Sequence, residues 1–143
     1  MASIPDLWPE ELAAKPAQKS PGAILREQAA LLGRRVDNLI EGQVTTRPDR
    51  TGARFEHIFK ILVPTLDFYQ YPLFSVSHGV NEFYPLEVTA YGVPARLMSE
   101  DDFVRWLRTV FASSETKRII GTLLAMVEQP AGAGEPQLTL DQL

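Results

Sequence analysis

The sequence predicts an α+β domain: an N-terminal helix, a four-stranded antiparallel meander and a C-terminal helical hairpin, in the order α-β-β-β-β-α-α. Three observations lead there. Apolar residues recur at three- and four-residue spacing on both sides of residues 39–91, alternating apolar residues fill the middle, and the alternating runs are joined by short connections. With no βαβ crossover, a doubly wound nucleotide-binding sheet is disfavoured.

Residues 1–19 carry Pro5, Pro9 and Pro16 with little periodicity, and read as a flexible leader. Within it, Ile4-Pro5-Asp6-Leu7-Trp8-Pro9-Glu10-Glu11-Leu12 forms an apolar-acidic cluster. Trp8 is then either a docking residue or part of a strand of chain folded back on its own domain. The domain proper is expected over 20–129, followed by a Gly-, Pro- and Ala-rich flexible tail over 130–143.

Ser20 suits an N-cap and Pro21 the first helical turn, where its missing N–H costs nothing. Ile24, Leu25, Gln28, Ala29, Leu32 and Val36 then recur on one face, so the first helix is expected over 21–36. The first strand is expected over 39–46, followed by the turn-rich loop Arg47-Pro48-Asp49-Arg50-Thr51-Gly52. The second puts Phe55, His57, Phe59, Ile61 and Val63 on one face. The third groups Phe74, Val76, His78 and Val80, and the fourth, near 85–91, groups Leu86, Val88 and Ala90. Ser99 and Asp102 have capping-box spacing, and Phe103, Trp106, Leu107, Val110 and Phe111 follow as an apolar stripe. A further helix from about Ser114 carries Ile119, Ile120, Leu123, Leu124 and Val127 until Pro130 stops it. The short link between the two makes a hairpin whose apolar stripes are the natural cover for the sheet.

At 143 residues the chain fits one domain with its own core. Its net charge of −4 argues against a duplex-binding footprint, which needs clustered Lys and Arg. The absence of cysteine excludes disulfides, thiolate metal sites and a thiol nucleophile, and fits a reducing cytosol. No secretory signal and no apolar run long enough to span a membrane are visible, so a soluble cytoplasmic protein is expected.

The stretch Tyr71-Pro72-Leu73-Phe74-Ser75-Val76, followed by Phe83-Tyr84-Pro85-Leu86-Glu87-Val88, resembles the middle of the RWD domain and of the related ubiquitin-conjugating-enzyme fold. There a third strand leads through a Tyr-Pro turn into a fourth. The resemblance spans roughly residues 21–129 and implies a non-catalytic scaffold that binds other proteins. Two departures accompany it. Thr89 stands where RWD domains usually carry a second proline, and the catalytic cysteine of the conjugating enzymes has no counterpart.

The two histidines are His57 and His78. A hairpin closed near Val63 and Pro72 pairs positions summing to 135, which sets His57 opposite His78 with the rings about 5 Å apart. Such a pair is either a metal or pH-sensitive site, with Glu82 or Glu87 as further ligands, or two half-buried rings satisfied by their neighbours. No Gly-x-Ser-x-Gly elbow, phosphate-cradling glycine loop or His-Glu-x-x-His helix occurs, and the acids at 100–102 suit a helix's first turn. Arg47, Arg50 and Arg54 flank a loop and read either as solvated charge or as contacts for an acidic partner. The loop bearing Phe68, Tyr69 and Tyr71 is an interface candidate, since aromatic side chains bury much area for little rotamer entropy. Its alternative is that Phe68 and Tyr71 pack under the hairpin while Tyr69 caps the sheet.

The function expected is therefore a non-catalytic intracellular protein-interaction module, an adaptor or specificity subunit, using Trp8, Phe68, Tyr69 and Tyr71, with no cofactor. Its partner is another protein or a second copy of the chain, not nucleic acid or a membrane. The other readings are a metal- or small-ligand-dependent activity at His57 and His78, and a secretion chaperone or immunity-type inhibitor.

Overall fold

Helix α1 (Pro21–Arg35) starts as its sequence dictates: the Ser20 hydroxyl accepts from the Ala23 N–H at 3.1 Å, and Pro21 occupies the first position. The computed structural model describes residues 3–13 and 18–128. The expected tail 130–143, the Pro130 helix stop, the domain end at 129 and parts of the leader (1–2 and 14–17) lie outside the described residues. Of the leader, residues 10–13 form a single 3₁₀ turn.

After α1 the chain reverses through Asp37 and Asn38, both at positive φ (54° and 60°), where short polar side chains are tolerated best. The Asn38 N–H donates to the Gly33 carbonyl at 2.8 Å. This reversal consumes residues 36–40, so β1 (Glu41–Pro48) begins two residues later than expected and runs on through Arg47 and Pro48. The following loop is tied by Asp49, whose Oδ1 accepts from the Thr51 N–H, the Thr51 hydroxyl and the Gly52 N–H. These bonds hold the Asp49 carboxyl below the ordinary carboxylate range.

The sheet is an antiparallel meander in the order β1-β2-β3-β4-β5, with β2 (Arg54–Val63), β3 (Tyr69–Gly79), β4 (Leu86–Ala90) and β5 (Val93–Leu97). It has five strands, not the four expected. The extra strand arises at Tyr91-Gly92, both at positive φ (53° and 77°), the requirement of the tight turn whose twist matches flanking strands. β5 lacked alternation because it is an edge strand: Val93 through Arg96 are exposed, and Pro94 gives up its donor where no further strand pairs.

One sheet face is covered and the other is polar. On the covered face Phe59, Ile61, Val63, Val76, Leu86 and Val88 are at most 2% exposed. The opposite face carries Lys60, Ser75, Thr89 and the ion pairs Arg47–Glu56 (2.9 Å) and Arg54–Glu87 (3.7 Å). Helix α1 lies over β1. Helix α2 (Glu100–Phe111) buries Phe103, Leu107 and Val110. Its junction with the sheet is aromatic: Phe59 stacks on Phe74 at 5.2 Å, and Trp106 meets Phe74 edge-on at 5.1 Å.

Ser99 caps α2 by accepting from the Asp102 N–H at 3.2 Å. Asp102 does not close the reciprocal half of the box; its Oδ2 accepts from the Met98 N–H instead. Helix α3 (Ser114–Glu128) is capped by Ser113, which accepts from the Thr116 N–H at 3.2 Å. The Tyr91 hydroxyl bonds the buried Thr116 hydroxyl at 2.6 Å, which ties the β4–β5 turn to the helical hairpin. No helix among the described residues is long and apolar enough to cross a membrane.

α1 and β1 approach closely at Gly42, where an added Cβ would meet the Ala29 Cα at 2.5 Å and its Cβ at 2.7 Å. Backbone on both sides leaves no flexible atom to move. Gly42→Ala is expected to destabilise the domain by about 1–3 kcal/mol in urea or thermal unfolding. Unchanged stability would show that α1 sits farther from the sheet.

Candidate functional site

The two histidines meet, by a register different from the one expected. In β2–β3 the pairs are Phe55↔His78, His57↔Val76 and Phe59↔Phe74, then Lys60↔Pro72 after a bulge at Leu73. The hairpin closes through a 3₁₀ turn at Pro64–Leu66 and through Asp67 and Phe68, so pairing resumes at Val63↔Tyr69 and not near Pro72. On the histidine side of the bulge the offset from the expected register is two residues, and on the turn side it is three. An even offset preserves the face on which each side chain lies. His57 and His78 are thus diagonal neighbours on the covered face, each 6% exposed, with ring centroids 4.9 Å apart.

Their nitrogens form one chain of hydrogen bonds. Thr46 Oγ1 lies 2.8 Å from His57 Nδ1, His57 Nε2 lies 2.8 Å from His78 Nε2, and His78 Nδ1 lies 2.8 Å from the Gly79 carbonyl oxygen. With one proton per ring, the direction is fixed from one end. A carbonyl accepts and never donates, so His78 carries its proton on Nδ1. His78 Nε2 then accepts from His57 Nε2–H, and His57 Nδ1 accepts the Thr46 hydroxyl proton. All four ring nitrogens are used.

The surroundings oppose a positive charge. His57 packs beneath the first turn of α1, where a Cβ on Gly22 would sit 3.1 Å from its Cε1. That turn presents the positive end of the helix dipole. Burial first, then His78, then the Arg26 guanidinium push His57 down to about 4. On the far side His78 is enclosed by Phe83, edge-on at 5.2 Å, and by Phe55 at 6.2 Å. Among the described residues no group of three or more His, Cys, Asp or Glu side chains is placed to hold a metal ion.

The expected interface residues divide. Trp8 is 76% exposed and Phe68 68%, while Tyr69 is 44% exposed. Tyr71 packs against the core. Of the alternative weighed for this loop, the inward placement therefore holds for Tyr71 and fails for Phe68. Asp67 and Phe68 both have positive φ (58° and 56°), an arrangement uncommon for a bulky residue, and it turns the Phe68 ring outward at the hairpin tip. The loop arginines are partly engaged: Arg47 binds Glu56, and the Arg54 Nε–H donates to the Ser77 hydroxyl at 3.1 Å. Sequence reasoning missed Thr46, Gly22 and the Gly79 carbonyl. Counting register across the β1–β2 loop would have found Thr46, which pairs directly with His57.

No protein-family model matches the chain, and no curated protein or solved structure matches it.

Neutral in the fold and free to charge once unfolded, His57 links stability to pH. Its pKa is about 6.5 in the open chain and about 4 in the fold. Its stabilising effect is complete above the higher value and is lost as pH falls from 6.5 towards 4. At roughly 1.4 kcal/mol per pKa unit, the loss is on the order of 3 kcal/mol. Urea unfolding between pH 7 and 4 should show that decline, and His57→Gln should flatten it. An equally steep decline in the variant would place the acid sensitivity elsewhere.

Proposed function

We propose that the protein is a non-catalytic interaction module that binds another protein through its apolar leader segment and the aromatic tip of the β2–β3 hairpin. One observation carries this: Ile4, Leu7, Trp8 and Leu12 lie within nine residues of chain and are 64–82% exposed. Four large apolar groups kept together in water on one short segment are the pattern of a docking element. The segment is partly ordered in advance. Pro5 and Pro9 restrict Ile4 and Trp8 to extended backbone, and the Asp6 carboxylate accepts from the Trp8 N–H at 3.0 Å. Less conformational freedom is then lost on binding.

The hairpin tip adds Phe68 and Tyr69, held outward by the backbone at 67–68. A scaffold that binds proteins is also what the RWD-like resemblance implies. The alternative of metal- or small-ligand chemistry would require His57 and His78 to release bonds they already make.

Affinity capture with the full chain is expected to retain a stoichiometric partner, or a second copy of the chain, that Trp8→Ala or Phe68→Ala releases. Deleting residues 1–19 should abolish capture yet leave the Tm of the dilute, unassociated chain within about 3 °C, because among the described residues the ion pair it removes is the surface Lys19–Glu27 pair. Recovery of no partner and no self-association would contradict the proposal. A large fall in Tm on deletion would instead make the leader part of the fold.

A further inference from the structure

Two depressions flank helix α1. On one side is a shallow groove formed by Ala23, Arg26, Glu27, Ala30, Leu31 and Arg34, in which the Glu27 carboxylate is already paired with Lys19. On the other, between α1 and the helical hairpin, is a cleft of about 230 Å³ lined by Leu31, Leu32, Phe59, Phe111 and Ile120, with Arg35 among its walls. Leu31 belongs to both and is 42% exposed, so the ridge between them is apolar and open. Arg26, Arg34 and Arg35 are exposed and form no ion pair among the described residues. Placement in the last turn, where the helix dipole favours cations, accounts for Arg34 and Arg35. It does not account for Arg26, near the opposite end.

The leader carries the complement of this surface. Its apolar residues are interleaved with Asp6, Glu10 and Glu11, which also form no ion pair among the described residues. In a protein of net charge −4, three arginines along one helix with no ion pair among the described residues run against the overall sign, and the acidic leader matches them.

Building on the interaction reading above, we propose that the Ile4–Leu12 segment of one chain docks over helix α1 of a second copy. Its apolar side chains meet Leu31 and the adjoining cleft, and its acids meet Arg26, Arg34 and Arg35. Each copy offers both a leader and an α1 surface, and two copies that exchange leaders reciprocally close as a two-fold dimer. The pairing thus forms twice per dimer, and the apolar contact resists dissociation while the charges set orientation. In the single chain the leader side chains stay in solvent, which leaves them available to the second copy.

Sedimentation equilibrium of the full chain over a range of concentrations tests this. The wild type should show a concentration-dependent dimer mass. Trp8→Ala, Glu10→Lys/Glu11→Lys and Arg34→Glu/Arg35→Glu should each weaken association at least tenfold, while the far-UV circular dichroism of the dilute, dissociated chain stays unchanged because these residues are exposed. Combining both charge reversals in one chain should restore association. A chain that stays monomeric, or a dimer that none of these substitutions weakens, overturns the proposal. So does a monomer whose Tm falls on Glu10→Lys/Glu11→Lys, which would place the leader on its own α1. If a monomeric wild type captures a different protein through Trp8, the dimer is refuted while the interaction reading stands.

Discussion

Thr46, His57, His78 and Gly79 form a continuous line of hydrogen bonds across β1, β2 and β3, with His57 beneath the first turn of α1. Two imidazoles would be an expensive choice for the covered face of a small sheet if any nitrogen were left unmet, since a buried polar group without a partner costs about 1–3 kcal/mol. Here every nitrogen is met, and the line has a single consistent direction when each ring holds one proton. The arrangement is possible because both side chains fall on the inward face, because Thr46 pairs with His57, and because Gly22 leaves room for the ring under the helix. With Gly42 set against Ala29, it fixes where α1 lies, and so where the grooves along that helix open.

This saturation also decides how the molecule is read. A pair of buried histidines invites a metal or proton-transfer role, but both need a free lone pair or a ring that charges readily near neutrality. His57 offers neither: its lone pair is taken by Thr46, and burial, His78 and Arg26 oppose its charge. The groups left exposed are of another kind: an apolar segment with acids, an aromatic hairpin tip, and a helix whose arginines form no ion pair among the described residues. These groups, on which the proposed interaction rests, are separated from the sealed interior.

Much of this was legible in the sequence, and the gaps have identifiable causes. Ser20-Pro21 marked the start of α1, and the stripe from Phe103 to Phe111 marked α2, because caps and periodicity are local. The inward placement of both histidines was legible too, since alternation alone fixes the face. The register was not: it depends on how the chain turns at Asp67-Phe68 and on the bulge at Leu73, where two consecutive buried residues, Leu73 and Phe74, break the alternation. β5 escaped notice because an exposed edge strand need not alternate, although Tyr91-Gly92 was an available hairpin signal. The exposure of Trp8 could not be read from residue type, because a tryptophan beside prolines and acids packs or docks equally well until its surroundings are known.

The most direct test of the central claim, that the histidine pair is a closed, neutral, structural element, is ¹⁵N NMR of the imidazole rings during acid titration. The expected result is a proton on Nε2 of His57 and on Nδ1 of His78 at neutral pH, with His57 remaining uncharged until the pH nears 4. A His57 ring that charges near 6.5, or that exchanges between tautomers at neutral pH, would contradict the account.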